Sequence, residues 1–100
     1  MLHSKYGLEE FNEKRELYKK ANQIQEYLEN TFKVEKVEQV EGRNGIVYRL
    51  LFGFYGVGIN LSKELIIARD IDWLCHYAYE LVFERLIVDT KRKYINEEEI

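Results

Sequence analysis

The sequence predicts an α+β fold: a helix, a meander of about three antiparallel strands, and a long C-terminal helix, with both helices on one face of the sheet. Three observations carry that expectation. Apolar residues recur every three or four positions from Leu8 to Leu28, alternate at every second position from Ile46 to Phe54, and return to helical spacing from Ile71 onward. Periods of 3.6 and 2.0 belong to different backbones, so the order of the periods is the order of the elements.

The first helix is read over residues 8–30. Leu8, Phe11, Leu17, Tyr18, Ala21, Ile24 and Leu28 form a narrow apolar stripe, and Glu9, Glu13, Glu16, Lys20 and Gln23 fill the positions between. Asn30 and Thr31 end the pattern. Residues 33–41, KVEKVEQVE, read as an edge strand. Valine loses side-chain freedom in a helix, and charges on an edge discourage pairing with another chain. Gly42 to Gly45 supply a turn, with Asn44-Gly45 suited to the positive φ of hairpin loops. Ile46, Tyr48, Leu50, Phe52 and Phe54 then share one face of the strongest strand.

The stretch FGFYGVGIN, residues 52–60, holds three glycines. Before it the apolar face occupies even positions, and after it Val57, Ile59 and Leu61 are odd, so the two-residue period changes phase near Tyr55 and Gly56. That change demands a turn or a bulge, and glycine suits either. The order Gly-x-x-Gly-x-Gly reverses the dinucleotide fingerprint, and no Lys-Ser/Thr pair follows, so no phosphate site is assigned.

Two readings of the next segment stay open. Ser62 caps a helix running to about Tyr94, or Leu65 to Ala68 form another strand and Asp70 is the cap. From Ile71 the helix is common to both. Ile71, Leu74, Ala78, Leu81, Val82 and Leu86 form its core stripe, and Asp72, His76 and Glu80 its polar stripe.

One hundred residues, 46% apolar and 33% charged, make a single domain over 1–100, with residues 1–6 and 95–100 expected to fray. Fifteen basic and 18 acidic residues are interspersed, so the net charge of −3 creates no large field of one sign. The lone Cys75 excludes an internal disulfide and four-cysteine zinc frameworks, which suits a reducing, cytoplasmic setting. The first 30 residues are too charged for a secretory signal, and no apolar run reaches the roughly 20 residues that span a bilayer. Abundant Lys, Glu, Ile, Asn and Tyr with no proline give a composition suited to an AT-rich bacterial or phage genome.

Asp72, His76 and Glu80 share a helix face, but such pairs four residues apart are ordinary on solvated helices, and no metal or cofactor is assigned. Cys75 and His76 point about 100° apart on a helix, so they make no activated thiolate pair. Ser62 is better explained as a cap, and no catalytic residue is assigned.

The order helix, three strands, helix resembles the layout of double-stranded-RNA-binding domains. Those domains meet phosphates with lysines at the start of the second helix. Here RDIDWL, residues 69–74, carries two aspartates, and the resemblance ends at the order of elements.

The remaining signal is aromatic surplus, with eight Tyr, five Phe and one Trp. Trp73, Tyr77, Phe83 and Ile87 fall outside both stripes of the last helix, which predicts a partner-binding surface. The expected function is a non-enzymatic interaction or regulatory module, with a phage or mobile-element accessory protein as one form of it, whose partner is a second copy of itself or a host protein. Nucleic-acid binding through Arg49, Lys91, Arg92 and Lys93 is the alternative, beside an acidic inhibitor of a host nucleic-acid enzyme built on the glutamates of the first half.

Overall fold

A computed structural model describes the backbone from Leu2 to Glu98 and the side chains of residues 12–88. The ends expected to fray, residues 1–6 and 95–100, lie outside the described side chains. The chain forms α1 (Leu2–Phe32), β1 (Val37–Glu41), β2 (Gly45–Phe52), β3 (Tyr55–Ser62), α2 (Lys63–Ala68) and α3 (Ile71–Glu98). The strands make an antiparallel meander ordered β1-β2-β3, so the α+β class and the sheet are as the sequence predicts.

One face of the sheet is apolar and covered. Val37 of β1, Ile46, Tyr48 and Leu50 of β2, and Val57, Ile59 and Leu61 of β3 are all buried. Against them pack Leu17, Ala21, Ile24 and Leu28 of α1, Ile66 of α2, and Leu74, Ala78 and Val82 of α3. The opposite face carries Glu38, Arg49, Leu51, Gly56, Gly58 and Asn60, and these are exposed.

The phase change resolves as a turn. Phe52 pairs with Tyr55, leaving Gly53 and Phe54 as a two-residue loop. Gly53 has φ +65° and Phe54 has no positive φ, the pattern of a type II′ hairpin. Phe54 therefore leaves the strand face where alternation placed it and stands fully exposed at the hairpin tip.

At the other hairpin the expected positive φ at Asn44-Gly45 is not adopted. Gly45 is needed for space instead. A Cβ there would lie 2.5 Å from Asn60 Oδ1 and 3.0 Å from the Leu61 carbonyl oxygen.

Both readings of residues 62–70 are partly right. Ser62 Oγ accepts from the Leu65 N–H at 3.1 Å and starts α2, and Asp70 Oδ1 accepts from the Trp73 N–H at 2.8 Å and starts α3. Residues 65–68 are helical, not a strand. Six residues cannot hold a helix unaided, since nucleation alone is unfavourable. Neighbours supply what is missing: the Asn44 carbonyl accepts the Lys63 N–H at 3.0 Å. Lys20 Nζ of α1 donates to the carbonyls of Ile66, Ile67 and Arg69 at 3.2, 3.2 and 2.8 Å.

Lys20 thus sits beside the start of α3. Twelve residues further along α1, the Phe32 ring stacks 5.4 Å from that of Tyr79. The two long helices consequently run parallel and staggered, overlapping for about twelve residues or roughly 18 Å. Their arms project from opposite ends, which explains extents of 70 × 23 × 21 Å and a radius of gyration of 17.0 Å. A compact chain of this length has a radius of about 13 Å.

Candidate protein-interaction surface

The residues displaced from the core stripe of α3 do not form one patch. Helical spacing sends them to two flanks of the helix. On the first flank Trp73 stacks on Tyr77 at 5.0 Å between ring centroids, and the Arg69 guanidinium lies 4.7 Å above the indole. On the second, Phe83 stacks on Tyr79 at 6.0 Å, and Tyr79 continues through Phe32 to Phe52. That row of four rings ties the C-terminal end of α1 to the sheet and to α3.

Stacking covers these rings only in part. Trp73 remains 37% exposed, Phe83 47% and Ile87 40%, while Tyr77 is half-buried. Val88, which the periodicity does not single out, is 45% exposed.

The first flank opens into a groove of about 480 Å³ between α3 and β3. Tyr77, Leu81 and Val88 form its apolar wall, Glu84 and Arg85 its polar rim, and Gly58 and Asn60 the opposing edge. The groove continues over Gly58, where the absence of a side chain lets it reach Val47 of β2. Nothing lies within 4 Å of the position a Gly58 Cβ would occupy.

The two outer edges of the sheet differ. At β1, Gln25 Nε2 donates to the Val37 carbonyl at 2.8 Å and Glu29 Oε1 accepts the Val37 N–H at 3.1 Å, so α1 side chains pair the outward groups at the Val37 end of that edge. At β3 the outward groups belong to Gly56, Gly58 and Asn60. This follows from the register: Gly42 N–H bonds the Gly45 carbonyl at 2.8 Å, so odd residues of β2 bond toward β1 and even residues toward β3. Leu61, Ile59 and Val57 face Ile46, Tyr48 and Leu50, which leaves the residues between them aimed away from the sheet. Among the described residues those N–H and C=O groups have no partner.

Glu41 accepts from Lys63 Nζ at 2.8 Å and from Tyr18 Oη at 2.9 Å, and these bonds hold its carboxyl below the usual range. The same hydrogen bond to Glu41 pushes the Tyr18 phenol up. Burial first, and the nearby Asp72 charge second, raise the Cys75 thiol, which disfavours the thiolate. His76 Nε2 lies 3.0 Å from Glu80 Oε1 on an exposed face. Among the described residues no three His, Cys, Asp or Glu side chains converge as metal ligands.

Arg49 is exposed on the open sheet face, where its register partner is Glu38. Lys91, Arg92 and Lys93 lie outside the described side chains. The backbone of α3 continues past them to Glu98, so they do not occupy its last turn. No helix among the described residues is long and apolar enough to cross a membrane. Comparison with protein-family models, curated proteins and solved structures gives no match.

Proposed function

We propose that the chain is a non-enzymatic protein-interaction module that presents α3 to a partner, and that the first partner is a second copy of itself. One observation carries the reading: among the described residues α3 leaves four large apolar side chains, Trp73, Phe83, Ile87 and Val88, each more than a third exposed, where no other element leaves more than one. Ordered stacking on Arg69, Tyr77 and Tyr79 holds the rings in place while each ring stays more than a third exposed. Pre-set aromatic surface of this kind costs little side-chain entropy on binding and is what interface anchors are made of.

A second copy is favoured because the groove beside these rings pairs opposite charges on adjacent residues, Glu84 and Arg85, and its opposing strand, YGVGINLS, has no charge at all. Such a surface meets itself without like-charge repulsion. Nucleic-acid binding gains no comparable support, since Arg49 stands opposite a carboxylate in the sheet.

Trp73 is the single tryptophan of the chain and reports on its own surface. Acrylamide quenching of its fluorescence is expected to weaken as protein concentration rises from about 1 µM to about 1 mM, the range of a weak to moderate homodimer. Val88→Ala, on the flank beside β3, is expected to shift that change to higher concentration. Quenching that is constant over the whole range contradicts the reading.

A further inference from the structure

We infer that the free edge of β3 is a strand-pairing site, and that its occupant is β3 of a second copy, joined antiparallel about a two-fold axis at Gly58. The inference rests on the self-association reading above and adds to it the surface and the register.

The asymmetry between the two edges is the starting point. At the β1 edge Gln25 and Glu29 pair the outward groups of Val37, and the strand itself carries Glu38 and Glu41. The chain gives β3 none of the devices that keep an edge from pairing: Tyr55–Ser62 contains no charge and no proline, and its pairing with β2 is unbroken over all eight residues, without a bulge. Gly56, Gly58 and Asn60 present three outward N–H groups and three outward carbonyls at strand spacing. An extended backbone matches that array, and a helix or a flat apolar surface does not.

The glycines point the same way. Gly58 has no positive φ and no neighbour that a side chain would strike, so nothing inside the chain requires glycine there. Glycine nonetheless weakens a strand interior, and where the fold does not call for it, close approach of another backbone does.

A second copy supplies the same uncharged strand. A two-fold at Gly58 sets Gly58 opposite Gly58 and Gly56 opposite Asn60, each as a pair exchanging two N–H···O bonds. No side chain of a charged residue meets its own copy. The buried faces of Val57 and Ile59 then continue across the junction, and the two three-stranded sheets become one of six strands.

The test uses the full chain with Cys75→Ser, so that a single introduced thiol reports. In the proposed register Gly58 lies opposite its copy at a Cα separation of about 5.5 Å, which a disulfide spans. Gly58→Cys is therefore expected to convert most of the chain to a disulfide-linked dimer under mild oxidation. Phe54→Cys, set roughly 27 Å from its copy by eight residues of strand, is expected to remain largely unlinked. Gly58→Lys, which finds open space in the fold, is expected to keep the circular dichroism of the parent and raise the dimer dissociation constant at least tenfold. Concentration-dependent protection of Trp73 with no preferential linkage at Gly58 overturns the register while leaving self-association standing. An unchanged dissociation constant in Gly58→Lys overturns it as well, and a parent chain that shows neither dimer nor linkage overturns both.

Discussion

Tyr48 shows how a single residue commits this chain to its fold. The ring lies in the middle of β2, fully buried, and its hydroxyl donates to the Ala21 carbonyl of α1 at 2.8 Å. One side chain thus fixes the height of the first helix over the sheet. Removing only the hydroxyl, in Tyr48→Phe, is expected to cost about 1 kcal/mol of stability. Burial, the larger cause, and the Cys75 charge raise the phenol well above its ordinary value of 10.0. The folded chain keeps this proton where the unfolded chain releases it, so the stability is fully present below pH 10 and is lost as the pH climbs toward the folded value. Urea unfolding from about pH 8 to about pH 11 should show a falling limb that Tyr48→Phe flattens. Equal slopes in parent and variant would assign that limb to other groups. Sequence alternation identifies Tyr48 as inward-facing, but its partner on α1 is a long-range contact that no local pattern encodes. Lys20 was similarly opaque, for the opposite reason: in the sequence it is one more polar residue on a wet helix face, and only the packed fold brings three carbonyls to it.

At the scale of elements, short α2 depends on what surrounds it. Its N-terminus is capped from within by Ser62, and its C-terminal carbonyls are held from outside by Lys20. Lys20→Met removes the cation while keeping the stem, and is expected to destabilise the chain by about 1 to 2 kcal/mol. The exchange of the Arg69 amide, which donates to the Leu65 carbonyl at 3.0 Å, should accelerate more than that of the β2 amides. Uniform acceleration would mean that α2 has no separate stability for Lys20 to control. Elements whose period is strong are legible: the β2 face at Ile46, Tyr48 and Leu50, the β3 face at Val57, Ile59 and Leu61, and the change of phase between them. Their ends are less so. Alternation carries Phe54 into the strand because a period has no means of showing a turn one residue early. The Ser62 to Asp70 segment offers two caps where the period shows one helix start, and the chain uses both. The uncharged run of β3 was visible as composition. Its meaning required the strand order, which places β3 at an edge.

The whole molecule is a short sheet with two long parallel helices that overlap for less than half their length. Arms on opposite ends give the molecule an elongated body. The sequence reading placed Trp73, Tyr77, Phe83 and Ile87 together as one surface. The structure puts Trp73 and Tyr77 on the flank toward β3 and Phe83 on the flank toward α1, because residues four apart share a helix face, while a residue six or ten further on falls about 120° or 80° around it. Leu81 and Val88 complete the flank beside β3, and a count of stripe positions along α3 hides Leu81 in the core set. Interaction through this flank and the adjoining strand edge is the central claim, and molar mass measured against concentration tests it most directly. Light scattering across a dilution series should show the parent chain rising from 12.1 kDa toward twice that mass. A mass that stays at 12.1 kDa up to millimolar concentration would contradict it.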